Sequence, residues 1–324
     1  MKQNIAIIMG GYSAEVHISF KSGNVVYTHL NKEKYTPFRV HILQDKWVAL
    51  DEFNTEYSID KNDFSFVLNG EKILFDCVFN AIHGNPGENG EILAYFNLIG
   101  LKHTSANWYQ MALTFNKRDT LSVVKEYGIP TAISFYLNQG NPIDIDAIVA
   151  KVGLPCFVKP NNAGSSFGIS KAHTIEEVLP AIKHAFKEDS EILIESFLEG
   201  REVSVGVIEY QKKIKVLPIT EIISENDFFD YEAKYEGKSE EITPAKVSSE
   251  LQEKIETIAK KVYQALNMSG FSRSEFIIVK GVPHFLEMNT VPGLTESSIL
   301  PQQAICAGIS LTELFDNAIQ SALN

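Results

Sequence analysis

Five apolar residues in a row, Ile5-Ala6-Ile7-Ile8-Met9, run directly into Gly10-Gly11, and no other feature constrains the fold as much. A short apolar run stopped by a glycine turn reads as a strand buried on both faces. Ser13 then stands where a helix N-cap would, with Glu15 in the first helical turn. A second run, Cys77 to Ile82, ends in the same manner at His83-Gly84 and a loop with Pro86, Gly87 and Gly90. Strand, glycine turn and helix in succession predict an open α/β sheet. Such sheets bind ligands at the carboxyl ends of their strands, where Glu15 and His83 both fall.

The pattern changes after about residue 104. Lys117 to Tyr127 reads as a helix stopped by Gly128-Ile129-Pro130, and Cys156 to Lys159 as a short strand closed by Pro160. A loop, Asn161 to Gly168, and a strand from Ile169 follow, and then a helix to about Lys187 opened by the capping box Thr174/Glu177. Beyond Glu191 come strands at Ile192–Ser196, Val203–Glu209 and Ile214–Pro218. A polar-aromatic stretch, Asn226 to Thr243, precedes an amphipathic helix with Leu251, Ile255, Ile258, Val262 and Leu266 on one face. A chain of 324 residues exceeds one ordinary core. The expected units are an α/β domain over 1–104, a central α+β domain over 105–190 and a C-terminal α+β domain over 191–324.

The formal charge of −12 argues against a nucleic-acid surface. No apolar run reaches the ~20 residues of a membrane span, and Ile5–Met9 is too short for a signal-peptide core. A soluble, reducing, cytoplasmic setting is expected. Cys77, Cys156 and Cys306 are far apart, odd in number and in apolar surroundings, so all three are expected in the core.

The hairpin from Arg273 to Thr290 carries the sharpest chemistry. With a turn centred on Gly281, Glu275 faces Glu287 and Arg273 faces Asn289, and directly opposed residues share a sheet face. Two carboxylates ~5 Å apart repel by roughly 3 kcal/mol at an effective dielectric near 20. Arg273 offsets part of this, and a set of Glu, Glu and Asn oxygens suits a hard divalent cation. A solvated polar face with one Glu–Arg pair is the other reading of the hairpin, and both stand on this evidence. Lys159 ends an apolar strand just before a Gly/Ser loop of the kind that covers phosphates. The loop is not a Walker A motif, because no Gly-Lys-Ser/Thr closes it, and Gly10-Gly11 does not complete a Rossmann fingerprint. Lys117 alone reads as a surface helix residue. Glu195 and Glu202 flank Phe197-Leu198-Glu199-Gly200, a connector able to hold a purine, with a carboxylate for ribose hydroxyls. Taken singly, Glu15 reads as a helix-dipole partner and His83 as a satisfied polar residue.

Seven segments occur together and in order: Gly10-Gly11-Tyr-Ser13-Ala-Glu15; His83-Gly84 with Gly87-Glu-Asn-Gly90; Phe115-Asn-Lys117; Val158-Lys159-Pro160; Gly164-Ser165-Ser166-Phe-Gly168; Tyr231-Glu-Ala-Lys234-Tyr235; and Glu287-Met-Asn289-Thr-Val-Pro292-Gly293. This ordered set resembles the D-alanine–D-alanine ligases of the ATP-grasp superfamily over nearly the whole chain. The resemblance implies an α/β (α+β) ATP-grasp architecture with a central lid domain. It also implies ATP and two Mg2+ (or Mn2+) as cofactors, two D-alanines as substrates, and a homodimer serving peptidoglycan synthesis. Lys117 and Lys159 are then expected on ATP phosphates beneath a lid bearing Ser165 and Ser166. Glu195, Phe197, Leu198 and Glu202 are expected on adenine and ribose, with Lys234 also at the nucleotide. Glu275, Glu287 and Asn289 would bind the metals, and Arg273 with the Gly293 backbone would stabilise the oxyanion. Glu15 would hold the first ammonium beside His83, Ser298 and Ile299 would form the second subsite, and Tyr235, Ser165 and Glu15 would close the loop.

The family usually has Asp where this chain has Glu275, a change that keeps the charge and lengthens the reach. Residues Trp47 to Asn69 match no motif. A D-alanine–D-serine or D-alanine–D-lactate ligase is the nearest alternative, and Tyr235 goes with an amine nucleophile. A catalytically silent ATP-binding protein should have lost some of the lysines and carboxylates, and a kinase would need no second acceptor subsite.

Overall fold

Gln3–Gly10 forms the expected strand, paired in parallel with Tyr35–Ile42 on one side and Cys77–Asn80 on the other. The structure, a computed structural model, describes residues 2–162, 164, 167–224 and 239–324. The first strand is apolar throughout because it feeds two cores. Ala6 and Ile8 point into one with Val78 and Phe96, and Ile5, Ile7 and Met9 into another with Val26 and Phe315. The sheet runs Glu56–Ser58, Trp47–Leu50, Tyr35–Ile42, Gln3–Gly10, Cys77–Asn80. The unmatched Trp47–Asn69 segment supplies its edge and an aromatic cluster in which Phe64 lies 4.8 Å from Phe96 and 6.2 Å from Trp47. Trp47 Nε1 donates to the Tyr12 hydroxyl at 2.9 Å, so this edge supports the turn after the first strand.

The helix after that turn spans Val16–His29, and its N-cap is Glu15 rather than Ser13. Ser13 Oγ instead donates to the His83 carbonyl at 3.1 Å and accepts the Glu15 N–H at 3.3 Å. The Gly10-Gly11 turn carries Ser13 across to the next strand end, where its hydroxyl ties two loops together.

The second sheet is antiparallel, in the order Ser170–Ala172, Cys156–Pro160, Glu191–Ser196, Ser134–Asn138. Helices Ile145–Val152 and Ile175–Ala185 cover it around Ile148, Val158, Ile182 and Ile194. The capping box does not form as predicted: the Thr174 side chain makes no cap bond, and Glu177 accepts instead from the N–H of His173, one residue before the cap, at 2.6 Å. This sheet includes Glu191–Ser196, so a division at 190/191 falls ahead of a strand that belongs with the central unit.

The third sheet orders Ser239–Ile242, Thr220–Ser224, Arg201–Tyr210, Phe271–Val279 and Val282–Asn289, with Lys213–Val216 also paired to Arg201–Tyr210. Helix Ser249–Ala265 packs against it through Ile255, Ala259, Val262 and Tyr263, so the buried stripe lies slightly around from the predicted one. Cys77 and Cys156 are buried, and burial pushes the Cys77 thiol up to about 12. Cys306 corrects the expectation: it is exposed beside Ile305 in the last turn of helix Ile299–Cys306, beyond the part that packs.

The hairpin turn is not centred on Gly281. Lys280 (φ 50°) and Gly281 (φ 77°) form a two-residue loop with both central residues left-handed, so Val279 pairs Val282 and Phe276 pairs Phe285. Continued unchanged, that register would oppose Glu275 to Leu286 and send Glu287 to the other face. A β-bulge between Glu275 and Phe276 takes up Leu286 and restores the pairs Glu275–Glu287 and Arg273–Asn289. The predicted pairs therefore form, by a different cause. Nothing lies within 4 Å of a Cβ built on Gly281, so Gly281→Ala is expected to lower stability by about 1–2 kcal/mol through backbone conformation alone. Chemical denaturation of the two proteins measures this.

Candidate active site

Register alone gathers one set of groups. Arg201–Tyr210 pairs with the hairpin so that Ser204 opposes Glu275 and Glu202 opposes Ile277. Glu202, Ser204, Arg273, Glu275, Glu287 and Asn289 therefore share one face of the third sheet. Glu202, Glu275 and Glu287 line a cleft against the second sheet, which contributes Phe157, Lys159, Leu193 and Glu195. Its walls also include Lys117, Phe197, Leu198 and Leu286, and it encloses about 1060 Å³, part of it open to solvent.

Lys159 Nζ lies 2.9 Å from Glu195, and Lys117 Nζ 3.3 Å from Glu287. Burial by itself would lower the Lys159 pKa; Glu195 first, then Glu287 and Glu202, outweigh it and raise it. Lys159 is therefore held charged at the cleft. Lys117 comes to Lys159 because buried Asn161, just past the Lys159 strand, grips the start of helix Lys117–Glu126. The Asn161 carbonyl accepts the Lys117 N–H at 3.3 Å and its Oδ1 the Arg118 N–H at 2.9 Å.

Arg273 Nη1 donates to Glu275 at 2.7 Å and to Ser204 Oγ at 3.1 Å. Asn289 Oδ1 accepts the Val291 N–H at 3.1 Å, leaving a second lone pair. Among the described residues no group of three or more His, Cys, Asp or Glu side chains is arranged to hold a metal. The available set is two carboxylates and an amide, each carboxylate already facing a cation. Such hard oxygen donors fit Mg2+, which completes its shell with water and phosphate oxygens.

A second cluster borders the first. A Cβ built on Gly164 would lie 2.8 Å from Glu15 Oε2, so the Gly164 backbone approaches Glu15 closely. His83 is buried, its Nε2 is 3.0 Å from Ser22 Oγ, and it bonds the Val291 backbone. Burial lowers its pKa, with Arg273 acting in the same sense and Glu15 opposing. A Cβ on Gly293 would meet Ser298 Oγ at 2.7 Å, which brings these two residues together. Ser298 is the N-cap of helix Ile299–Cys306, and Gln303 ties that helix to the third sheet through Ser204, Gly206 and Thr220. Ile299 is buried against Ile222. Ser165, Ser166, Lys234 and Tyr235 lie outside the described residues.

Two carboxyls at the site were not singled out from sequence. Glu88 sits inside the Gly87–Gly90 motif and accepts N–H bonds from Gly84 at 3.1 Å, Thr290 at 3.2 Å and Val291 at 3.4 Å. Glu241 lies close enough to Arg273 and Glu275 to respond to both, and burial raises its pKa. The motif itself pointed to Glu88; no local pattern pointed to Glu241.

A lysine- and carboxylate-lined cleft between two antiparallel sheets, beside a polar subsite at the strand ends of an α/β sheet, fits a ligase of ATP-grasp architecture. Residues 4–106 match the family described as D-ala D-ala ligase N-terminus, and 123–320 the family described as D-ala D-ala ligase C-terminus. A D-alanine–D-alanine ligase of Flavobacterium johnsoniae is 65% identical over 99% of both chains, and one from Christiangramia forsetii is 56% identical over 100% of this chain and 99% of that one. Among solved structures, the VanG D-Ala:D-Ser ligase of Enterococcus faecalis has a TM-score of 0.87 at 29% identity, covering 99% of each chain. A Bacillus anthracis D-alanine–D-alanine ligase complexed with ATP has a TM-score of 0.80 at 26% identity, over 99% of this chain and 97% of that one. The chain belongs to the D-alanine–D-alanine ligase family and is a ligase. Among the described residues no helix is long and apolar enough to cross a membrane.

Burial first, and Glu15 second, push the Glu88 carboxyl from the ordinary 4.5 up to about 7, against its three N–H donors. Between these values the folded protein holds a proton that the unfolded chain has released. Stability is therefore expected to fall as pH rises through that window, and Glu88→Gln to flatten this part of the profile. Melting temperature measured against pH checks both.

Proposed function

We propose that the enzyme uses ATP to join two D-alanines into D-alanyl-D-alanine for peptidoglycan synthesis. The observation that carries this reading is the adjacency of two clusters. The cleft with Lys117 and Lys159 and the polar subsite around Glu15, His83 and Gly293 meet at the Arg273–Glu275 pair.

In this scheme Glu195, Phe197, Leu198 and Glu202 hold adenine and ribose, with Lys234 nearby, and Lys117 and Lys159 orient the phosphates under Ser165 and Ser166. Glu275, Glu287 and Asn289 would hold two Mg2+ (or Mn2+), which would supply positive charge against the transferred phosphoryl group. Glu15 fixes the ammonium of the first D-alanine so that its carboxylate attacks the γ-phosphorus, giving D-alanyl phosphate and ADP. The second D-alanine, its carboxylate at Ser298 beside Ile299, attacks the acyl carbon with its amine. Arg273 and the Gly293 N–H stabilise the tetrahedral oxyanion, and phosphate leaves. Tyr235, Ser165 and Glu15 close the loop over the reacting groups. The units 1–104, 105–190 and 191–324 act as substrate, lid and catalytic domains, with the second boundary moved beyond Ser196 because that strand stays with the lid sheet. A cytoplasmic homodimer completes the proposal.

Phosphate release from Mg-ATP is expected to require D-alanine, and mass analysis to find D-alanyl-D-alanine. A depsipeptide formed preferentially with D-lactate, or a mixed dipeptide with D-serine, would reassign the acceptor. Nucleotide binding without turnover on any amino acid would favour a silent binder. Glu287→Gln is expected to cut turnover at least 100-fold and change its Mg2+ dependence while the melting temperature moves little. Lost stability with intact activity would remove the metal role.

A further inference from the structure

We propose that Ser22, in the first helix of the N-terminal sheet, is a positioning residue that holds the Gly293 backbone in place for the acyl-transfer step. Ser22 is fully buried, so its hydroxyl has to be satisfied inside the protein. Its Oγ lies 3.0 Å from His83 Nε2 and accepts the Leu294 N–H at 3.2 Å. Accepting from Leu294 leaves the hydroxyl proton for His83. The imidazole, whose pKa burial lowers, then takes that proton bond as a neutral acceptor. Three positions remote in the chain thus meet at one oxygen.

The grip has a second point. Glu88, on the loop after the same sheet, accepts the Thr290 and Val291 N–H groups at 3.2 and 3.4 Å, and His83 bonds the Val291 backbone. Residues 290 to 294 run from just past Asn289 through Gly293, and every one of these contacts comes from the N-terminal unit. Gly293 itself is flanked by Leu294, held by Ser22, and by Ser298, against which a single added carbon would collide. The catalytic strand end is therefore aligned by a different domain from the one that carries it. Preorganised donors are effective only where they already point at the developing charge, and a shift on the order of 1 Å is enough to lose much of the rate.

This inference rests on the ligase reading, and the test separates the two. Ser22→Ala removes both bonds, and Ser22→Cys keeps the volume with a poor donor and acceptor. In both variants kcat is expected to fall about tenfold or more, with KM for ATP within about twofold of wild type. D-alanyl phosphate that waits too long for the amine is attacked by water, giving D-alanine and phosphate. The ratio of phosphate to dipeptide should therefore rise above that of wild type, which a loss of folding alone would not produce. Amide hydrogen exchange at residues 290–294 should quicken in the variants while the rest of the third sheet is unchanged. Unchanged exchange at 290–294 overturns the proposal whatever the activity, and so does an unchanged kcat and product ratio. Wild-type protein that forms no dipeptide overturns the ligase reading instead, and the exchange measurement still decides whether Ser22 holds the segment.

Discussion

The active face depends on one register: Phe271–Val279 against Val282–Asn289, with Leu286 bulged out. The turn at Lys280-Gly281 and the Glu275–Glu287 pairing require different registers, and the bulge reconciles them. Without it Glu287 would face the opposite side of the sheet from Glu275 and Arg273. With it, four groups of one hairpin face the strand that brings Glu202 and Ser204. A bulge next to an active site is a common means of re-aiming a side chain, and here both Leu286 and Glu287 line the cleft.

Charge at the cleft is balanced locally, which explains how a chain of net charge −12 can serve a polyphosphate. Glu195 is almost fully buried and would be costly unpaired; Lys159 satisfies it. Arg273 does the same for buried Glu275. The pairs keep both signs available along the cleft. Removing one partner of either pair would leave a buried charge, so truncations there report on folding as well as chemistry.

The site is also a junction between units. Ser13, Ser22, His83 and Glu88 belong to the first helix and the loops of the N-terminal sheet, yet three of them contact residues 290–294. Gly164 reaches Glu15 from the central unit. Small residues occur at these meeting points because backbones must approach closely, and a Cβ on Gly293 would press on the Ser298 side chain, 2.7 Å from its Oγ and 3.2 Å from its Cβ.

Much of this was legible in the residues alone. The buried first strand, the glycine turns, the helix at Lys117, the two strands of the hairpin and the lysine before the loop all follow from local patterns, because burial and backbone geometry leave short-range marks. Ordered motifs along the chain carried the family. The Ser13 cap failed because a neighbour from another element, the His83 carbonyl, took its hydroxyl, and the core placement of Cys306 failed because nothing among the described residues packs over it in the last turn of its helix. Ser22 and Glu241 show the same limit. A hydroxyl or carboxyl looks like any other in sequence, and its role comes from donors and charges many residues away. Residue types and their local spacing were determined by sequence; which hydroxyl meets which N–H, and which face Glu287 takes after the bulge, were decided by the packing of three sheets.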